Sequence, residues 1–254
     1  MRGKGTRVLG MLVMLAGVMV LAPPCYAFRQ EFDQTYPLDP GGSVEVRNVN
    51  GSVEVNGWDR HEVEVRAVKT AERREADLAR VTIEVAAKPN SVAVTTRYPQ
   101  DDGVEVAVNY AIRVPHGARL ALVSTINGTL RISGIENTGA LRAVNGNIEV
   151  YDSAGPVAAH TTNGNVRLEL RRVEAGGASA ETTNGSIVLA LPPGANAGLE
   201  ARSFNGDFQS ELPLRVEGAL RPREVRGRIG GGGGPVLLRT INGGIRVVVL
   251  RSTV

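Results

Sequence analysis

Cysteine is almost absent from this chain, because Cys25 is the only one among 254 residues. A single thiol cannot form a disulfide within one chain, and it cannot build a metal site from several thiolates. Cys25 also lies in a segment that we predict to be removed, so the mature chain has no cysteine nucleophile. The fold must therefore be held by apolar burial and by backbone hydrogen bonds.

Aromatic residues and histidines are also scarce. Aromatic residues make up 4% of the chain, and the three histidines (His61, His116 and His160) lie far apart in sequence. None of them has the partner spacing of a metal site or of a catalytic triad, and the acidic Gly-rich repeats that bind calcium are missing. We therefore predict no catalytic, metal-binding or cofactor-binding residues.

A strong excess of positive charge is missing as well. The chain has 29 Lys and Arg residues against 26 Asp and Glu residues, and three of the basic ones are Arg2, Lys4 and Arg7. Without these three, the chain carries 26 residues of each sign. Such a balance is not typical of a nucleic-acid-binding protein, so we predict no nucleic-acid partner.

One long apolar run occurs, from Val8 to Ala22, and basic residues precede it. A run of about 15 residues is short for a bilayer span, and Cys25-Tyr26-Ala27 offers small residues at the two key positions of a cleavage site. We predict a signal peptide over residues 1–27, export to the periplasm, outer cell envelope or medium, and no integral membrane span after cleavage. Two alternatives are a retained anchor helix and lipidation at Cys25, although Pro23-Pro24 is unfavourable in a lipidation motif.

The chain repeats one phrase, in which alternating apolar and polar residues flank an Asn-Gly pair. The pairs are Asn50 and Gly51, Asn127 and Gly128, Asn145 and Gly146, Asn163 and Gly164, Asn184 and Gly185, Asn205 and Gly206, and Asn242 and Gly243. From Asn127 onward the steps are 18, 18, 21, 21 and 37 residues. A nearly constant period of this length is typical of a stacked repeat array.

Both arms of each phrase have the period of two that marks a half-buried strand. The sequence therefore predicts an all-β, single-stranded β-solenoid (β-helix) of 18–21-residue rungs, in which one rung is one turn of the coil. An antiparallel sandwich built from Asn-Gly hairpins is the alternative. We assign the Asn-Gly pairs a structural turn role and expect them in the left-handed backbone region, so that Gly146→Val introduces strain. The other reading of the stacked Asn side chains is a polar ligand groove.

The region before the array has a different pattern. Residues 28–118 predict a β-rich capping region with one short helix within Thr70–Arg80, and residues 119–254 predict the solenoid array. The physical role of the first region would be to cover an open strand edge. The 37-residue step before Asn242 suggests a worn rung near Val225–Ile229.

Several motifs resemble one bacterial family. They are Asn50-Gly51 followed by Ser-Val-Glu-Val, then Gly57-Trp58-Asp59-Arg60, then Tyr110 to Pro115, and finally serial Thr-x-Asn-Gly phrases. Together they resemble the bacterial putative-adhesin family, which is also described as a domain of unknown function, over roughly residues 41 to 250. The resemblance implies a β-solenoid in an exported or envelope protein, and it brings no catalytic residues.

The outward positions of the array carry Arg131, Glu149 and Arg167, which alternate in sign at equivalent positions. A solvated, self-paired face is the simplest interpretation, and a glycan-binding face is the functional one. We therefore predict a non-catalytic envelope protein that presents a surface to an envelope protein or a glycan, with self-association through the solenoid ends as a further option. A polysaccharide-acting lyase or hydrolase on a β-helix scaffold is the alternative.

The signal-peptide prediction can be tested by expressing the full chain in a bacterial host and measuring intact mass. We expect an exported protein that begins at Phe28, because the predicted cleavage follows Ala27. Cys25→Ser serves as the control and should leave that mass unchanged. A membrane-bound product that depends on Cys25 would instead identify a lipoprotein, and a full-length product would identify a retained anchor.

Overall fold

The computed structural model describes residues 27–100, 103–217 and 223–251. The apolar run and Cys25 lie outside the described residues. The described part consists of strands and one short helix, as the sequence predicts. The strands are β1 (Phe28–Pro37), β2 (Ser43–Arg47), β3 (Val53–Trp58), β4 (Glu62–Ala71), β5 (Thr82–Lys88), β6 (Ser91–Arg97), β7 (Val106–Pro115), β8 (Arg119–Asn127), β9 (Leu130–Ser133), β10 (Gly139–Asn145), β11 (Ile148–Ser153), β12 (Val157–Asn163), β13 (Val166–Leu170), β14 (Ala178–Asn184), β15 (Ile187–Leu191), β16 (Ala197–Asn205), β17 (Phe208–Ser210), β18 (Leu214–Val216), β19 (Glu224–Ile229), β20 (Pro235–Asn242) and β21 (Ile245–Val249), and the helix is α1 (Ala76–Arg80).

The strands form two large sheets. Sheet A has ten strands in the order β1-β4-β7-β3-β9-β11-β13-β15-β21-β17, and sheet B has eleven in the order β18-β19-β16-β20-β14-β12-β10-β8-β2-β6-β5. One apolar core cluster contains residues of both sheets, such as Leu141 from sheet B and Ile148 from sheet A. The alternation of apolar and polar residues therefore directs one face of each sheet into a shared core.

The chain passes from sheet B to sheet A at each of the seven Asn-Gly pairs of the repeated phrase, whereas Asn56-Gly57 lies within β3. The strands before and after a pair, such as β10 and β11, belong to different sheets and do not pair with each other. Their hydrogen-bonded neighbours are parallel strands of adjacent phrases, so Ile148 lies beside Leu130 and Val166, and Val166 lies beside Ile187. Asn-Gly hairpins do not form, and the fold is solenoid-like with like residues stacked in columns.

The stacking order departs from the chain order at both ends. The pair β2 and β3 lies between β6/β7 and β8/β9. The pair β20 and β21 lies between β14/β15 and β16/β17. The 37-residue step before Asn242 arises because the chain first forms the outer pair β16 and β17 and then returns to form β20 and β21 between that pair and β14/β15. Val225–Ile229 forms a strand, β19, as expected, but β19 pairs antiparallel with β16 and is therefore not a rung of the stack.

Antiparallel strands lie at the two ends of the stack. β4 and β1 extend sheet A beyond β7, β5 extends sheet B beyond β6, and β19 and β18 extend sheet B at the other end. The helix is shorter than expected, because Thr70 belongs to β4 and α1 begins at Ala76. Lys69 is buried below α1, where its Nζ donates to the carbonyl oxygens of Leu78 and Val81 at 2.8 and 2.9 Å. This burial lowers the pKa of Lys69. Within the described residues, no helix has the length and apolarity needed to cross a bilayer.

The glycines of the Asn-Gly pairs are required by close backbone approach. A Cβ on Gly146 would lie closer than 3.0 Å to the carbonyl oxygen of Gly128, and the same relation holds along the stacked glycines. The expectation of left-handed backbone holds at four of the seven glycines, with φ between +118° and +157°: Gly51, Gly128, Gly185 and Gly243. It is wrong at the asparagines, none of which has a positive φ, and at Gly146. Gly is needed there because backbones stack too closely for any side chain.

Gly146→Ala should therefore destabilise the protein even though its backbone conformation is ordinary. We expect a loss of at least about 1 kcal/mol in the free energy of unfolding, since the added methyl group meets a fixed backbone oxygen. Chemical denaturation of the variant and the parent measures the difference. Gly117→Ala is the matched control, because a Cβ there meets nothing within 4 Å. Equal stability of the Gly146 variant and the parent would contradict the close-approach explanation.

Candidate functional site

The predicted turn asparagines meet in a single column along one edge of the two sheets. Each side-chain Nδ2 donates to the Oδ1 of the next asparagine at 2.7 to 2.9 Å. The spatial order of the column is Asn50, Asn127, Asn145, Asn163, Asn184, Asn242 and Asn205. Every interior amide thus has a donor and an acceptor committed to its neighbours, as in stacked amide ladders.

The backbone of each pair is bonded along the same column. The amides of six of the seven glycines donate to the carbonyl oxygen of the adjacent asparagine, for example Gly146 N to Asn163 O at 2.9 Å. The residue two positions before Asn is usually a buried Thr or Ser, whose hydroxyl donates to a neighbouring glycine oxygen, as Thr161 does to Gly146 at 2.9 Å. The equivalent contacts come from Thr125, Thr182, Ser203 and Thr240. The sequence did not predict that these hydroxyls bond to the glycines. The position holds Ala143 in one phrase, so its residues share only a small size.

A buried polar cluster closes the column at its Asn50 end. Asn48 Nδ2 donates to the carbonyl oxygens of Gly51 and Val108 at 3.0 and 2.9 Å, and its Oδ1 accepts the Thr96 hydroxyl at 2.9 Å. Thr96 Oγ1 also shares a 2.7 Å hydrogen bond with the Tyr110 hydroxyl. Burial raises the pKa of Tyr110 to about 12. These groups satisfy each other within the core, which indicates a structural cluster.

The outer face of sheet B carries the more accessible chemistry. One transverse row crosses the strands through His160, Glu181, Arg239, Arg202 and Glu224. The adjacent row, directly before the asparagines, contains Ile126, Val144, Thr162, Thr183, Ile241 and Phe204. A charged row therefore runs beside a row that is apolar at its ends and polar in its middle.

Ion pairs connect most of the charged row. Arg239 lies 3.5 Å from Glu181 and 3.7 Å from Glu200, and Arg202 lies 3.0 Å from Glu200 and 3.3 Å from Glu224. His160 Nδ1 lies 3.6 Å from Glu181. The Nε of Arg202 is buried without a hydrogen-bond partner. The charged row therefore contains one buried donor that is not satisfied by a hydrogen bond.

This groove, which we call the Phe204 groove, has a volume of about 980 Å³. Phe204 and Ile241 are 56% and 49% exposed within it, and the guanidinium of Arg223 lies 4.0 Å from the centre of the Phe204 ring. Thr183 and the charged row complete the lining. The groove therefore combines an exposed aromatic ring, an aliphatic side chain and several guanidinium donors, a composition suited to non-covalent binding.

The remaining sequence candidates lie elsewhere. On sheet A, Arg131 pairs with Glu149 at 2.8 Å, whereas Arg167 pairs with Glu169 on its own strand at 2.5 Å. The three histidines are not brought together; His116 contacts the carbonyl oxygen of Gly134 through Nδ1 at 2.5 Å. Within the described ranges, no group of three or more His, Cys, Asp and Glu side chains could hold a metal ion.

The chain is an all-β, solenoid-like protein with an open groove on the outer face of sheet B. The chain belongs to the Toastrack DUF4097 family, whose sequence model matches residues 33–248. No curated protein matches the chain.

Several solved structures are similar to this chain. A putative cell adhesion protein from Clostridium sporogenes aligns with a TM-score of 0.53 at 12% identity, over 87% of this chain and 100% of that one. A putative adhesin from Bacteroides fragilis aligns with a TM-score of 0.40 at 13% identity, over 87% and 97%. A putative lipid binding protein from Parabacteroides distasonis aligns with a TM-score of 0.35 at 10% identity, over 88% and 97%. The likeness to the clostridial protein shows a shared fold and nothing about function.

The buried hydroxyls of the column give a direct prediction. Thr161→Val keeps the shape of the side chain but leaves the Gly146 carbonyl oxygen without its hydroxyl donor. We expect a loss of roughly 0.5–1.5 kcal/mol in the free energy of unfolding, measured by chemical denaturation. Thr162→Val, on the outer face of the same strand, should change the stability much less. Equal effects at the two positions would argue against the hydrogen bond as the cause.

Proposed function

We propose that this protein is a non-catalytic, exported cell-envelope protein that contacts another protein or a glycan through the Phe204 groove. In this proposal the frame is a β-solenoid of 18–21-residue rungs, and the Asn-Gly pairs serve as its structural turns. Residues 28–118 act as the capping region, and residues 119–254 contribute the repeated rungs. The registers of the stacked asparagines, 18 or 21 positions apart between Asn127 and Asn184, support this frame.

The exposure of Phe204 is the observation that carries the binding proposal. Contiguous exposed apolar patches that are rimmed by polar residues are characteristic of interaction sites. Phe204 and Ile241 come from strands that are adjacent in sheet B but 37 residues apart in the chain. The patch therefore exists only in the assembled stack, where charged side chains border it.

The chemistry of the groove suits a partner with flat apolar faces and polar edges. An aromatic ring packs against the carbon-bound hydrogens of a sugar ring or against an apolar side chain, and guanidinium groups donate to carboxylates and hydroxyls. The guanidinium of Arg223 already covers Phe204, so a ligand would exchange one planar contact for another. Both sugars and peptides meet these requirements.

The arrangement of the carboxylates supports a non-catalytic role. Sugar hydrolysis generally needs two converging carboxyl groups, one of which donates a proton. In the Phe204 groove, Glu181 and Glu224 each contact arginine, at 3.5 Å from Arg239 and 2.5 Å from Arg226 respectively. The alternative, a polysaccharide-acting lyase or hydrolase, requires these side chains to act on the substrate as acid or base rather than to pair with arginines.

The proposal predicts that Phe204→Ala weakens binding without unfolding the protein. The full chain is exported from a bacterial host and applied to a glycan array and to an envelope protein fraction. We expect a loss of about tenfold in affinity for the ligand found, since an exposed aromatic contact contributes roughly 1–3 kcal/mol. Ile126→Ala, in the same row far from the groove, is the control.

Two results would contradict the proposed function. Binding that is unchanged in the Phe204 variant would place the contact surface elsewhere on the molecule. Release of new sugar ends from a polysaccharide by the parent protein, and not by buffer alone, would favour the enzymatic alternative.

A further inference from the structure

The two sheets end in strands that have a hydrogen-bonded neighbour on one side only. Within the described residues these edge strands are β1 and β17 in sheet A, and β5 and β18 in sheet B. β17 and β18 have three residues each, a length that limits pairing with another chain. β5 has seven residues, and its Glu84 is held by Arg97 of the neighbouring strand at 3.0 Å. β1 is the longest edge, with ten residues paired to β4 along their whole length.

The two faces of β1 differ in chemistry. Phe32 and Tyr36 pack partly against the core, so the even-numbered residues face inward. Arg29 and Glu31 face solvent, with side chains 61% and 71% exposed, and the ion pair between them, at 3.0 Å, does not involve another strand. Asp33, in contrast, is held by Arg66 of β4 at 3.1 Å. The charges of this edge that are not bonded to another strand are therefore one cation and one anion, two positions apart.

From these observations we propose that β1 is a self-association surface, which pairs antiparallel with β1 of a second copy of this chain. A twofold axis perpendicular to the sheet keeps the inward faces of both copies on one side, so only residues of equal parity can lie opposite each other. The pairing would join the two copies of sheet A into one continuous sheet.

Among the registers that the symmetry allows, only the one centred on Gln30 pairs opposite charges without placing like charges opposite each other. Centring the pair on Gln30 places Arg29 opposite Glu31 of the second copy twice, and it places Phe28 opposite Phe32 twice. Centring it on Arg29 or on Glu31 places like charges opposite each other, which disfavours cross-strand pairing. Phe28, which is 38% exposed in one chain, then gains an aromatic neighbour. The edge is thus self-complementary on both faces in one register.

This inference does not rest on the proposed function, because β1 and the Phe204 groove lie at opposite ends of the stack. The experiment is a concentration series of the exported full chain, whose mass in solution is measured by sedimentation or light scattering. We expect the mass of one chain at low concentration and of two chains at high concentration.

Charge reversal tests the register. In Arg29→Glu, two carboxylate pairs face each other across the proposed axis, so the mass should stay at one chain; Glu31→Arg should act in the same way through two guanidinium pairs. The double variant Arg29→Glu, Glu31→Arg should again reach two chains, because opposite charges are restored. Both positions are highly exposed, so folding should be unaffected, and the melting temperature checks this.

Arg172→Glu is the matched control for the change in net charge. Arg172 is 62% exposed and pairs with Glu174 two positions later, as Arg29 does with Glu31, but it lies outside the strands. This variant should associate like the parent. Three results would each overturn the proposal: a parent chain that keeps the mass of one chain throughout, an Arg29→Glu variant that associates like the parent, and a double variant that fails to recover.

Discussion

The structure depends on one contact, the stacking of identical Asn-Gly pairs at the passage between the sheets. An amide side chain carries a donor and an acceptor, so asparagine can bond to a copy of itself, whereas a carboxylate in the same column would repel its neighbour. The bonds of the column run at 2.7 to 2.9 Å without interruption from Asn50 to Asn205. Glycine must follow, since the carbonyl oxygen of the adjacent glycine occupies the space of a Cβ.

This fixed column leaves the neighbouring positions free to vary. The residue before each asparagine points outward and takes no part in the column. From Asn127 to Asn205 in the stack it is Ile126, Val144, Thr162, Thr183, Ile241 and Phe204. Within each repeated phrase, the Asn-Gly pair therefore determines the stacking, and the residue before it determines the chemistry of the outer surface. The repeat maintains the architecture, and the adjacent positions can acquire a binding surface without weakening it.

The alternation of residues and the Asn-Gly spacing predicted the all-β class and the stacking of like side chains. They could not predict the order of the strands, because each phrase presents the same asparagine and glycine and so fits any position in the stack. The insertion of β20 and β21 was missed for this reason, and with it the adjacency of Phe204 and Ile241. The predicted cause of the glycines, a left-handed backbone, holds at only four of the seven. The close approach of the next backbone, which applies to all seven, was missed, because a sequence shows turn propensity but not that distance.

The displaced strand pairs also change how the stack is held together. In a simple solenoid each rung contacts the rungs before and after it in the chain, and stability adds along the array. Here β16 and β17 have no hydrogen bonds with β14 and β15, because β20 and β21 lie between them. The outer strands therefore depend on a later part of the chain, and at the other end β6 and β7 connect to the stack through β2 and β3. At both ends the outer strands are held by strands that are distant in sequence. Local unfolding at either end must break these long-range contacts, which favours cooperative rather than stepwise unfolding.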